Sequence, residues 1–213
     1  MNLERLKLNW KQQNRGQSFV ELALVFTVLM VLMAGMVEFG NLLNQYINLV
    51  DGAREGARFA SNDDPFEAGN YEAFFGKVYE TVQGRYEDGV QVSKGAINPI
   101  VLSKENHDDI VVTFFSVTTD PSTGVIKNIV RFQSAAGSRY NERTSKFTIP
   151  QIRAMIDGHA PNTGLLLVEV FYSYLQILRL FSFTGIPDPV EVHAYSIMPL
   201  SSAEPTPTPK PSP

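Results

Sequence analysis

The 213-residue chain contains no cysteine, which excludes disulfide bonds and thiolate metal sites. It also lacks the short signatures of catalysis. No Gly-x-Ser-x-Gly elbow, no P-loop and no His-Glu-x-x-His pair occurs. His107, His159 and His193 stand far apart in sequence, and Asp63-Asp64 and Asp108-Asp109 lack the alternating spacing of a calcium-binding loop. No metal site, no cofactor and no enzymatic activity is therefore expected. Cationic charge is scarce beyond the N-terminus. The net charge is −4, and Arg5, Lys7, Lys11 and Arg15 against Glu4 make the first 18 residues +3, which leaves −7 for the remainder. So acidic a body argues against nucleic acid as a partner, since neutralising phosphates needs clustered Lys and Arg. No internal repeat is present.

Against these absences stands one long stretch without charge. From Leu22 to Val37, Thr27 is the only clearly polar residue. Phe19 to Phe39 spans about 21 residues, roughly 30 Å of helix, which matches the core of a bilayer. Glu21 and Glu38 mark its two edges. The basic flank is N-terminal, so the positive-inside rule places residues 1–15 in the cytoplasm and the chain beyond about residue 40 outside. A buried core helix of a soluble protein fits less well, because such a helix rarely runs so far without a polar face. A cleaved secretory signal also fits less well. Ala34-Gly35-Met36 is a poor cleavage site, followed by more helix-forming sequence.

The junction Arg15-Gly16-Gln17-Ser18-Phe19-Val20-Glu21 has its own grammar. A basic leader, then Gly16, then Glu21 after four intervening residues, fits the pattern cut by a prepilin peptidase between Gly16 and Gln17. Cleavage there frees an α-ammonium beside the membrane face. Glu21 then lies one turn further in, where an unpaired carboxylate is costly and a neighbouring subunit's terminal ammonium would neutralise it. The other reading of Glu21 is local: Ser18-x-x-Glu21 is a capping box, and an acid in the first turn suits the helix dipole.

Beyond the apolar run, residues 41–60 keep helical spacing through Leu43, Tyr46, Ile47, Val50, Ala53, Ala57 and Ala60. Gly52, Ala53, Gly56 and Ala57 line a shallow groove that permits close approach of another backbone. Two interior glycines cost about 1 kcal/mol each relative to Ala, so packing should offset them. That packing is either on this protein's own sheet or between molecules, and the two are not exclusive. Asp51/Arg54 and Glu55/Arg58 are i,i+3 pairs of opposite charge.

Residues 15–60, through Arg15–Leu24, Val37-Glu-Phe-Gly40 and Ala53-Arg-Glu-Gly-Ala-Arg58, resemble the TadE-like family, the pseudopilins or minor pilins of the tight-adherence (Flp, type IVc) pilus apparatus. The resemblance implies processing by a prepilin peptidase, partnership with other pilins or pseudopilins through the N-terminal helix, and contact with pilus platform proteins and membrane lipid. It carries Gly16 and Gln17 over as the cleavage site and Glu21 as the assembly carboxylate. Leu22 departs from major Flp pilins, which favour an aromatic there, and this chain is far longer. Both differences point to a minor or accessory subunit. The alternative is a surface-anchored binding domain that never enters a pilus.

The expected organisation is a leader over 1–16, a membrane and assembly helix over 17–40, its exported continuation over 41–62, an extracytoplasmic α+β domain over 63–200 and a Pro/Thr-rich tail over 201–213. Within the domain, spacing predicts a helix over 66–86 through Phe74, Phe75, Val78, Val82 and Tyr86. Strands are predicted over 109–119, 124–134, 165–175 and 190–198, and a short helix over 149–156. The fold class is α+β, with the distal part of the long helix packed on an antiparallel sheet. Tyr172, Tyr174 and the 178–183 stretch, with Leu180, Phe181 and Phe183, either fill a core gap or form a membrane-proximal or partner-binding loop.

Overall fold

The computed structural model describes residues 3–65, 71–88, 90–120, 122–132, 137–156, 163–179 and 185–200. The Pro/Thr tail, His159 and the aromatics at 180–184 lie outside them. The architecture is α+β. Helix α1 spans Leu3–Ser61 and α2 spans Tyr71–Gln83. A hairpin of β1 (Gly84–Glu87) and β2 (Val90–Lys94) follows. Then come β3 (Asp109–Thr119), β4 (Ile126–Phe132), α3 (Ile149–Met155), β5 (Thr163–Tyr174) and β6 (Val190–Leu200). The chain forms two compact units, Met1–Leu43 with Leu175–Val190, and Asn44–Tyr174 with Glu191–Pro213.

The second unit is built on a four-stranded sheet of order β4-β3-β5-β6, with β3 antiparallel to both β4 and β5. Every residue of β3 except Thr118 is buried, because helices cover both faces. On one face α2 lays down Phe74, Phe75, Val78 and Val82. Phe74 and Phe75 sit with ring centroids 5.6 and 5.5 Å from Phe114 of β3. Each such side chain contributes about 1.5–3 kcal/mol by leaving water. On the other face Phe115, Val117, Leu165 and Leu167 close over Ile152 of α3 and Phe147. At the start of α3, the Thr148 amide and hydroxyl both donate to Gln151 Oε1, and Pro150 occupies the first turn, where its missing N–H costs nothing.

The four predicted strands and the 149–156 helix are all present. The 66–86 helix needs a correction at its end. Val78, Val82 and Tyr86 keep i,i+4 spacing, but α2 stops at Gln83 and Tyr86 belongs to β1. Gly84 has φ +90°, and a Cβ there would collide with the Ser93 carbonyl and the Gly95 amide. This conformation is open to glycine alone, and it turns the chain into a hairpin that helical spacing does not reveal.

The two acids at the head of β3 organise loops. Asp109 is fully buried and accepts from the amides of Ile110 (2.8 Å), Tyr140 (3.0 Å), Glu142 (3.0 Å) and Arg143 (2.9 Å) and from the Ser138 hydroxyl (2.5 Å). Asp108 accepts from the Ser103 and Ser173 amides at 3.0 and 2.7 Å, and burial holds its carboxyl above the usual carboxylate range despite those bonds. Removing the Asp109 carboxylate orphans several buried donors, each worth about 1–3 kcal/mol. Asp109→Ala is therefore expected to lower unfolding free energy by at least about 3 kcal/mol, with Asp109→Asn intermediate, by urea denaturation in detergent.

Candidate functional site

The functional candidates of the sequence lie on α1. In the first unit every residue from Gly16 to Met33 is exposed, including Phe19 at 72 % and Leu24 at 66 %. Among the described residues α1 is the one helix long and apolar enough to cross a membrane, and its most apolar window carries no burial at all. A surface of this kind is costly in water and neutral in lipid. Its polar groups are satisfied within the helix. The Thr27 hydroxyl donates to the Ala23 carbonyl at 2.8 Å, as a hydroxyl in hydrocarbon must. Gln17 Nε2 donates to Glu21 Oε1 at 3.1 Å across one turn. Ser18 lies inside α1 and not at its start, so the capping-box arrangement is not the one seen.

At the far edge of the apolar run, Glu38 is 3 % exposed. Its two carboxylate oxygens accept from the amides of Ile177 and Leu178, each at 2.9 Å. Sequence reasoning marked Glu38 as a boundary residue and missed this role. The usable signal was general: a carboxylate at the edge of hydrocarbon needs donors. Nothing in the local pattern pointed to residues so distant in the chain.

In the second unit, the 44–61 part of α1 turns its small residues inward. Gly52, Ala53, Gly56, Ala57 and Ala60 are all buried, with Leu49 beside them. A Cβ on Gly52 would run into Ile97 Cγ2. One on Gly56 would lie 2.5 Å from Val82 Cγ2 and 3.6 Å from Val168 Cγ1 of β5. The groove thus receives α2, β5 and the 95–100 turn of the same unit. The opposite side bears the charge pairs, Asp51–Arg54 at 3.5 Å and Glu55–Arg58 at 2.6 Å. Exposed pairs of this kind contribute little, because solvent and salt screen them.

His193 and His107 each face a carboxylate. His193 Nε2 lies 3.0 Å from Glu169 Oε1, which also accepts from the Lys146 amide, and its ring stacks on Phe171. His107 Nδ1 lies 2.7 Å from Glu142 Oε2. Among the described residues neither histidine is bonded to a hydroxyl, and no cluster of three His, Asp or Glu could hold a metal ion. Tyr174 is buried and fills core, while Tyr172 is half-buried. An open concavity of about 660 Å³ along β3 is lined by Thr113, Arg131, Ser138 and Arg143 among others, and its Ser138 hydroxyl is committed to Asp109.

Residues 16–58 match the family model of TadE-like protein, the family that the N-terminal motifs resemble. The match covers the exposed apolar helix and the small-residue face, and the α+β body lies outside it. No curated protein and no solved structure matches the chain.

The small face makes a prediction of sign. Helix propensity alone favours Ala over Gly by about 1 kcal/mol, whereas forcing a methyl into a filled site costs about 1–3 kcal/mol. Gly52→Ala and Gly56→Ala are expected to lower the Tm. Gly76→Ala in α2, whose Cβ would meet nothing within 4 Å, is expected to raise stability by up to about 1 kcal/mol. Thermal unfolding of the three variants side by side checks both directions.

Proposed function

We propose that this protein is a pseudopilin or minor pilin of a tight-adherence pilus, a structural component that assembles and does not catalyse. The observation that carries the reading is the exposed apolar surface of α1 from Gly16 to Met33 within the segment that matches the TadE-like family. The membrane first holds the subunit through this helix, with the basic leader cytoplasmic and the α+β body extracytoplasmic. A prepilin peptidase cuts between Gly16 and Gln17, which leaves mature residues 17–40 as the membrane and assembly helix and 41–62 as its exported continuation. Other pilins or pseudopilins then pack against the exposed helix. A partner ATPase and platform proteins supply force.

Glu21 has a defined part in this scheme. In hydrocarbon its charge is expensive, and the new terminal ammonium of a neighbouring subunit offers the compensation that fixes axial register. Gly52, Ala53, Gly56 and Ala57 already face their own unit, so the surface left for lateral assembly is the large-residue face nearer the N-terminus.

Two experiments test the reading. Terminal sequencing of protein from its native host is expected to find a chain beginning at Gln17. An intact start at Met1 or Asn2 supports instead the surface-anchored binding domain outside any pilus. Glu21→Ala is expected to leave membrane insertion intact while reducing recovery of the protein in sheared surface fibres. Loss of insertion, or undiminished incorporation, counts against the pairing.

A further inference from the structure

The connection between β5 and β6 is packed inside out. Gln176 is buried, at 4 % exposure, while its neighbours Leu175 and Ile177 are 54 % and 62 % exposed and Leu178 and Ile186 are each 43 % exposed. Polar groups lace the two legs together from within. The Gln176 amide donates to Asp188 Oδ1 at 3.2 Å and Gln176 Nε2 donates to the Pro187 carbonyl at 3.1 Å, while at the surface the exposed Arg179 places Nε 3.5 Å from Asp188 Oδ2. In water the opposite arrangement is favoured, apolar inside and polar outside. Against lipid this one is favoured, because backbone donors must be satisfied internally while aliphatic side chains are solvated by hydrocarbon.

The loop's height along α1 is fixed. Glu38, which closes the apolar run, accepts from the Ile177 and Leu178 amides, so this leg lies level with the end of the segment that matches a bilayer core. Between Gly16 and Val37 the half-buried residues are Ala34 and Gly35, while the others are exposed, and these two lie one turn before Glu38 and on its side of the helix. The exposed aliphatic side chains of the loop are thus continuous with the exposed apolar surface of α1 in the same compact unit.

We propose that the described legs of this connection, residues 175–179 and 185–188, form a second membrane contact. Leu175, Ile177, Leu178 and Ile186 enter the boundary between headgroups and acyl chains on the side away from the leader, and Glu38 is the positioning residue that holds the loop at that depth. The occupant of the surface is lipid. This rests on the membrane-spanning reading of α1, and the test separates the two.

The chain has no cysteine, so Ile177→Cys, Leu178→Cys and Ile186→Cys each give a unique site for an environment-sensitive dye. The full chain is reconstituted in phosphatidylcholine–phosphatidylglycerol vesicles carrying nitroxide either near the headgroup or deep in the acyl chain. Val25→Cys, on the exposed mid-segment of α1, reports the anchor. The loop sites are expected to be quenched more by the shallow nitroxide, and Val25→Cys more by the deep one. Glu38→Ala is expected to diminish loop quenching, with a smaller loss for Glu38→Gln, which keeps one acceptor oxygen, while quenching at residue 25 is unchanged. Unquenched loop sites beside a quenched residue 25 overturn the loop contact and leave the anchor standing. An unquenched residue 25 overturns both. Loop sites shielded from nitroxide but cross-linking between copies assign the surface to a second copy of the chain and overturn the lipid assignment.

Discussion

The Glu38 carboxylate, with both oxygens occupied by main-chain amides at 2.9 Å, is the contact on which the first unit depends. An acid in that position has no cheap alternative. Left unpaired at the margin of an apolar run it is costly, and deleted it would strand two backbone donors where little water competes for them. By occupying both, it ties residues 177 and 178 to α1. The apolar stretch and the β5–β6 connection become one compact unit because of it.

Residue size then divides the labour along α1. Over 16–33 the side chains are large and turned outward, a surface that gains little from packing on itself and suits a hydrocarbon solvent. On the buried face of 49–60 they are mostly small, Gly52, Ala53, Gly56, Ala57 and Ala60, letting Val78, Val82, Ile97 and Val168 approach the helix axis closely. The entropic cost of two helical glycines is offset by that proximity. The resemblance read from the sequence and the matched family segment both span these two regimes, whereas the sheet that the second regime packs against falls beyond the match.

The parts legible in the sequence were those governed by local periodicity. The alternation in 109–119 located β3 to the residue, and the short helix expected over 149–156 is α3. The small face at Gly52–Ala57 was legible as a packing surface, with the protein's own body as one of the two partners left open, and Val82, Ile97 and Val168 fill it. The illegible parts all involve partners distant in sequence. Gly84 meets Ser93 and Gly95 only after the chain reverses, so a continuous i,i+4 pattern through Tyr86 misled. Glu38 meets residues 177 and 178. Asp109, one of a pair first weighed as a cation site, gathers its donors from 138–143. In each case an acid or a glycine serves main chain supplied from elsewhere, and neither residue type announces its partner.

Asp109 leaves one consequence for motion. A single carboxylate collects the amides of Tyr140, Glu142 and Arg143 together with the Ser138 hydroxyl, and it does so from the first residue of a strand buried almost throughout. The 138–143 loop, though half-exposed, is therefore anchored to the strand by its own main chain. Its amide protons share the protection of the strand, exchanging with deuterium as one cooperative group and not by the piecemeal fraying ordinary for irregular chain.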